Sequence, residues 1–160
     1  MSSHAVLAGR VQEALCDLER VVQRARELWR KAEQQHDDGY LDGVALNLHG
    51  FYAGVERIFE DIARNLDGTT PSGPDWHREL LLQMSAAIDG VRPAVIGRET
   101  RFCLDEYRGF RHVVRNVYTF TLRPLRLREL TENLELCYRQ LEAELSNTIA
   151  FLHTLDQTKP

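Results

Sequence analysis

The stretch from Phe110 to Phe120, FRHVVRNVYTF, carries two arginines, a histidine, an asparagine and a tyrosine among apolar residues. On a helix, Arg111, Arg115 and Tyr118 fall at i, i+4 and i+7 and share one face. His112 and Asn116, also four apart, occupy the adjoining strip. Phe110, Val113, Val114 and Val117 supply apolar contacts beside them. A purely solvent-facing helix has no need of this mixture next to an apolar row. A helix that holds a phosphate or an RNA strand does, because arginine presents a planar, permanently charged donor fork to phosphate oxygens.

Charge is distributed to match. The chain has a net charge of −4, yet nine arginines lie between Arg92 and Arg128 against Glu99, Asp105 and Glu106. That segment therefore carries +6 and the remainder −10. Arginines concentrated in an otherwise acidic chain are the footprint of a polyanion site with a repulsive surround. A solvated arginine face paired with nearby acidic helices explains the charge pattern equally well.

The length of 160 residues suits one domain with a real core, and 43% hydrophobic with 28% charged residues is ordinary for a globular chain. No window approaches the roughly 18 uninterrupted apolar residues of a bilayer span, so no membrane association is expected. The start, MSSHAVLAGRVQEAL, lacks the basic and apolar blocks of a signal peptide. Cys16, Cys103 and Cys137 are odd in number and widely spaced within apolar helical patterns. They read as reduced core thiols of a cytoplasmic protein, not as a disulfide framework or a zinc site.

The elements that must position the Phe110–Phe120 segment are all helical. Val6, Val11, Leu15, Leu18, Val22, Ala25 and Trp29 give a helical beat over about 4–36. After the turn Asp37-Asp38-Gly39, a second stripe runs through Val44, Leu48, Phe51, Val55, Ile58, Ile62 and Leu66. The clearest loop is DGTTPSGPD, Asp67 to Asp75, whose end offers Ser72 as an N-cap candidate, Pro74 and an acidic first turn. Trp76, Leu80, Leu81, Met84 and Ile88 mark a short third helix, broken by Gly90 and Pro93. A fourth, carrying the arginine-rich segment, spans about 97–121. Pro124 opens the last, about 124–155, with Leu127, Leu130, Leu134, Cys137, Leu141, Leu145, Ile149 and Leu152 on one face. The pattern predicts an all-α, up-and-down bundle of about five helices forming one domain over 1–160.

The runs LHGFYAGVERIFEDIARNLDG (48–68), PSGPDWHRELLLQM, VRPAV and LDEYRGFRHVVRNVYTF together resemble the HEPN superfamily, and within it the HepT-like ribonuclease toxins coded beside a minimal nucleotidyltransferase antitoxin. The likeness covers about 46–152. The superfamily motif is an arginine, a polar residue, three variable positions, a histidine, one more position and a tyrosine. Arg111 and Tyr118 match its ends, whereas His112 stands at the polar position and Asn116 at the histidine position. The two residue types are exchanged.

The resemblance implies RNA cleavage without a metal or other cofactor, by activation of a ribose 2′-hydroxyl against its neighbouring phosphate. That reaction needs a proton acceptor and cationic donors around the phosphorane. His112 and Asn116 are one turn apart, so His112 can serve as base or acid while Asn116, which transfers no proton at neutral pH, orients the phosphate or the imidazole. Arg111 is expected to act in catalysis, with Arg108 and Arg115 binding phosphate, although pairing with Asp105 also explains Arg108. The resemblance further implies a homodimer with the motif helices facing each other. It also implies silencing by AMP transfer from the antitoxin to Tyr118, a residue that otherwise reads as a core or interface tyrosine.

Other residues carry weaker signals. His77 and Arg78 open the third helix beside Trp76 and could approach the cleft, but a first-turn histidine is more often structural or solvated. His49, next to Gly50, reads as a core histidine at a close helix approach or kink. His36 with Asp37 and Asp38 reads as a polar turn and not as metal ligands. Three functional readings stand: a ribonuclease toxin, a HEPN-like partner subunit that binds RNA or nucleotide without cutting, and a structural bundle whose arginines make only salt bridges. The last entails that Arg111 pairs with a carboxylate of its own chain.

Overall fold

The computed structural model describes residues 2–116 and 122–158, with the side chains of Val113, Arg115 and Asn116 outside that description. Five α-helices follow one another: α1 Ser3–Gln35, α2 Gly39–Ile62, α3 Trp76–Met84, α4 Arg98–Asn116 and α5 Pro124–Gln157. A π-turn, Ala63–Asp67, extends α2. Among the described residues these helices form an all-α bundle.

Burial of one stripe per helix drives the packing. On α1 the buried row is Leu7, Val11, Leu15, Leu18, Val22, Ala25 and Leu28. The expected row is displaced by one residue at each end, because Leu7 and Leu28 continue the central phase while Val6 turns about 100° away and is exposed. This face lies along α2 and α5. Gly54 marks a close approach of α1 and α2: a Cβ there would stand 2.7 Å from Leu18 Cδ2, and one at Gly43 would stand 2.9 Å from Leu28 Cδ1, while Gly50 has open space. The close helix approach expected at Gly50 therefore sits one turn later. Cys137 is fully buried and Cys103 partly so, but Cys16 is exposed and is not a core thiol.

Three devices fix α4 in the bundle. Phe51 of α2 meets Tyr107 edge-on, ring centroids 5.3 Å apart. The Tyr107 hydroxyl donates to the Leu130 carbonyl of α5 at 2.7 Å. At the N-terminal end, Glu144 of α5 accepts the Gly97 N–H at 3.0 Å, a carboxylate where the helix dipole favours one. The link from α3 is just as well tied. Ile88 and Arg92 exchange backbone hydrogen bonds around Gly90, whose φ of 72° suits glycine. The Met84 carbonyl accepts from Val95 and Ile96.

Arg92 holds this connection from inside. Its guanidinium makes a two-pronged pair with Asp67 at 2.6 and 2.7 Å, and it donates to the carbonyls of Ala86, Gln83 and Pro93. Both side chains are essentially buried, at 1% and 0% exposure. Arg92 is thus a structural residue and leaves the set of arginines available to a polyanion.

α3 begins at Trp76, after Asp75 and not after Ser72. It ends at Met84, so Ile88 lies in the turn beyond it. Arg123 and Pro124 open α5, with proline in the first turn. Among the described residues no helix is long and apolar enough to cross a membrane.

Candidate functional site

Arg111 lies on the flank of α4 that faces α2 and α3. Its Nη1 stands 3.3 Å from Glu56 Oε1 of α2. The same nitrogen is 2.9 Å from Nδ1 and 3.1 Å from Nε2 of His77, the second residue of α3. The loop before α3 ends where His77 can reach both partners. His77 Nδ1 and Glu56 Oε2 are 2.6 Å apart, and the Trp76 ring lies over the imidazole with centroids 3.6 Å apart. Three elements thus converge on one carboxylate, one imidazole and one guanidinium.

This cluster sits at the edge of the core. The Glu56 side chain is 4% exposed, whereas Arg111 and His77 keep 18% and 22%. Tyr52, one turn before Glu56, is fully buried. The Tyr52 hydroxyl and Arg111 Nε find no hydrogen-bond partner among the described residues. Buried polar atoms in that condition are uncommon and call for an explanation.

Burial holds the Glu56 carboxyl above its ordinary value of 4.5, against the His77 hydrogen bond and the charges of His77 and Arg111, which pull it down. The folded protein therefore keeps this proton more tightly than the unfolded chain does. The stability that Glu56 contributes is complete below pH 4.5 and is lost as pH rises through the folded value. Glu56→Gln cannot ionise, so the melting temperature of wild type is expected to fall relative to that of the variant as pH rises from about 4.5. A difference between the two proteins that stays constant over that window would contradict the assignment.

The other sequence candidates are placed as follows. His112 is exposed on α4, about 100° around the helix from Arg111. Arg108 is paired with Asp105 at 2.7 Å. The backbone of Arg115 and Asn116 belongs to α4, but their side chains lie outside the described residues, as does Tyr118 altogether. His49 is on α2 and His36 follows the last turn of α1. Among the described residues no group of three or more His, Cys, Asp or Glu gathers to hold a metal ion.

Seven of the nine arginines between Arg92 and Arg128 resolve into two sets. Arg92, Arg108, Arg111, Arg126 and Arg128 each pair with a carboxylate of the chain: Asp67, Asp105, Glu56, Glu106 and Glu132. Arg98 and Arg101 instead lie against the exposed Phe102 ring. The own-chain carboxylate partner that a purely structural Arg111 entails is therefore present. A second feature is not explained by a salt bridge: a histidine wedged into the pair and tied to the same carboxylate.

Glu56 escaped sequence reasoning. The signal was there, because Tyr52, Glu56 and Phe59 stand at i, i+4 and i+7 in a second apolar row of α2, with one carboxylate inside it.

A family model described as HepT-like protein matches residues 43–152, from early α2 to near the end of α5. The chain belongs to the HepT-like family. All three members of the cluster, Glu56, His77 and Arg111, fall inside the matched segment. The whole of α1 lies outside it. Neither curated proteins nor solved structures give a match to this HepT-like chain.

Proposed function

We propose that this HepT-like protein is a metal-independent endoribonuclease, the toxin of a toxin–antitoxin pair. The observation that carries the reading is the partly exposed guanidinium of Arg111, the residue that matches the family's motif arginine, set against an imidazole and a carboxylate. Arginine there meets the scissile phosphate through its two-pronged donor geometry and stabilises the phosphorane as charge builds. Arg115 and Arg108 add phosphate contacts, Arg108 by exchanging Asp105 for the strand. His112 transfers a proton and Asn116 orients the phosphate. The RNA 2′-oxygen attacks the adjacent phosphorus, the bond to the 5′-oxygen breaks, and a 2′,3′-cyclic phosphate remains.

A homodimer with facing motif helices completes the cleft. The antitoxin is a minimal nucleotidyltransferase that adds AMP to Tyr118, bringing negative charge among the arginines and filling the site. The protein works in the cytoplasm.

A second reading has its own support. Glu56 already claims part of the Arg111 charge, and Asn116 stands where the motif has histidine. A silent HEPN-like partner subunit that binds RNA or nucleotide fits those two facts. End-labelled single-stranded RNA incubated with purified protein in EDTA separates the readings. Cutting to cyclic-phosphate ends supports the nuclease, and binding without cutting supports the silent partner.

A further inference from the structure

Transesterification of RNA needs one group to take the 2′-hydroxyl proton and another to return a proton to the departing 5′-oxygen. The motif helix offers only His112 for both tasks, since Asn116 transfers no proton. From the geometry of the buried cluster we infer that His77 is the second proton-transfer group, with Glu56 as its positioning residue. This inference rests on the ribonuclease reading above.

The geometry of a general base is already assembled. An ionised Glu56 accepts Nδ1–H of His77 at 2.6 Å, which fixes the tautomer and leaves the Nε2 lone pair bare. Trp76 stacked at 3.6 Å fixes the plane of the ring. Arg111 Nη1 stands 2.9 Å from Nδ1 and 3.1 Å from Nε2, against the imidazole between its two nitrogens, so the ring lies beside the cation that would grip the phosphate. The charged groups that bear on this pair are Glu56 and Glu60 from α2 and Arg111 from α4. A carboxylate behind an imidazole whose far nitrogen faces the reaction is the arrangement that orients and stabilises an imidazolium in triad enzymes.

The step balances. Phosphate draws Arg111 off the imidazole, and Nε2 takes the proton of the 2′-hydroxyl. The 2′-oxygen forms its bond to phosphorus, and the phosphorus–5′-oxygen bond breaks. His112, protonated, gives its proton to the 5′-oxygen. Glu56 stabilises the positive charge on His77 until solvent takes the proton away. No oxidant, reductant or metal takes part.

Single-turnover cleavage of RNA in EDTA between pH 5 and 8 tests this, with wild type, His77→Ala, His77→Gln and Glu56→Gln side by side. His77→Ala is expected to slow cleavage by about 10²-fold or more, with RNA binding by fluorescence anisotropy nearly unchanged. The acidic limb of the pH–rate profile should vanish in that variant, and added imidazole should restore part of the rate. His77→Gln keeps a hydrogen bond to Glu56 and decides the matter if the alanine variant melts early. Cutting by both His77 variants within a few-fold of wild type, acidic limb intact, would overturn the role of His77 and leave the ribonuclease standing. Absence of cutting by wild type would remove the ribonuclease and His77's role together.

Discussion

Replacing Arg111 by alanine is expected to slow RNA cleavage by about 10²–10³-fold, the usual cost of removing one preorganised donor from a developing oxyanion. Arg111→Lys should recover only part of that rate, because an ammonium keeps the charge but lacks the planar fork that meets two phosphate oxygens. The fold should survive either change, since Arg111 lies at the edge of the core and keeps 18% exposure. Glu56 would then be left with His77 alone, and its carboxyl would rise further as one opposing charge disappears. Rates read beside the melting temperature separate the two roles open to Arg111. A structural salt bridge predicts a large loss of stability with residual cleavage in step; a phosphate ligand predicts a large loss of cleavage in a folded protein.

The second large effect is on stability and comes from Arg92. Arg92→Ala leaves the buried Asp67 carboxylate without its guanidinium and three backbone carbonyls without their donor. Removing one partner of a buried ion pair typically costs about 3–5 kcal/mol. For a chain of this size that corresponds to a drop in melting temperature of roughly 10 °C. Because α3 and α4 are joined through this turn, hydrogen exchange should quicken between Met84 and Ile96. The double change Arg92→Leu with Asp67→Leu should recover a substantial part of the loss, since it removes the stranded charge as well as the pair. A loss under about 1 kcal/mol for Arg92→Ala would mean that the pair is largely solvated, contrary to its burial.

These two arginines show what a sequence yields and what it withholds. Both lie in the same arginine-rich segment and look alike on the page. Charge counting assigned them to one footprint, and only the fold separates them: Arg92 closes a turn from inside while Arg111 sits at a partly exposed edge. Helix identity was far more legible. The 3.6-residue beat places Val11 to Ala25 on α1, Val44 to Ile62 on α2 and Leu127 to Leu152 on α5, and proline at 124 opens the last helix. Periodicity sets burial, so it survives the passage from sequence to structure. At the ends of α1 it is Leu7 and Leu28 that keep this phase, and not Val6 and Trp29.

The candidate site was legible mainly on α4. Arg111 stood out because its neighbours are apolar, and the HepT-like family membership agrees with the resemblance that those residues carry. Glu56 was hidden outright, whereas His77 was legible only as a residue that could approach the cleft. Glu56 sits in an amphipathic helix that also carries Asp42, Glu60 and Asp61, where one more carboxylate draws no notice. His77 follows a loop, and no spacing rule says where a loop will set down the first turn of a short helix. Glu56 and His77 stand 21 residues apart in sequence, and His77 and Arg111 stand 34 apart, so their meeting is a tertiary fact with no local signature.

The central claim is that a 2′-hydroxyl is the nucleophile and that Arg111 holds the phosphate it attacks. It is tested most directly by offering one sequence as RNA and as DNA, end-labelled, to wild type and Arg111→Ala protein in EDTA, and resolving the products. Cutting of the RNA alone, by wild type alone, with a 2′,3′-cyclic phosphate on the upstream fragment, is the predicted result. Cutting of the DNA, cutting by both proteins at equal rate, or RNA left intact by wild type would contradict it.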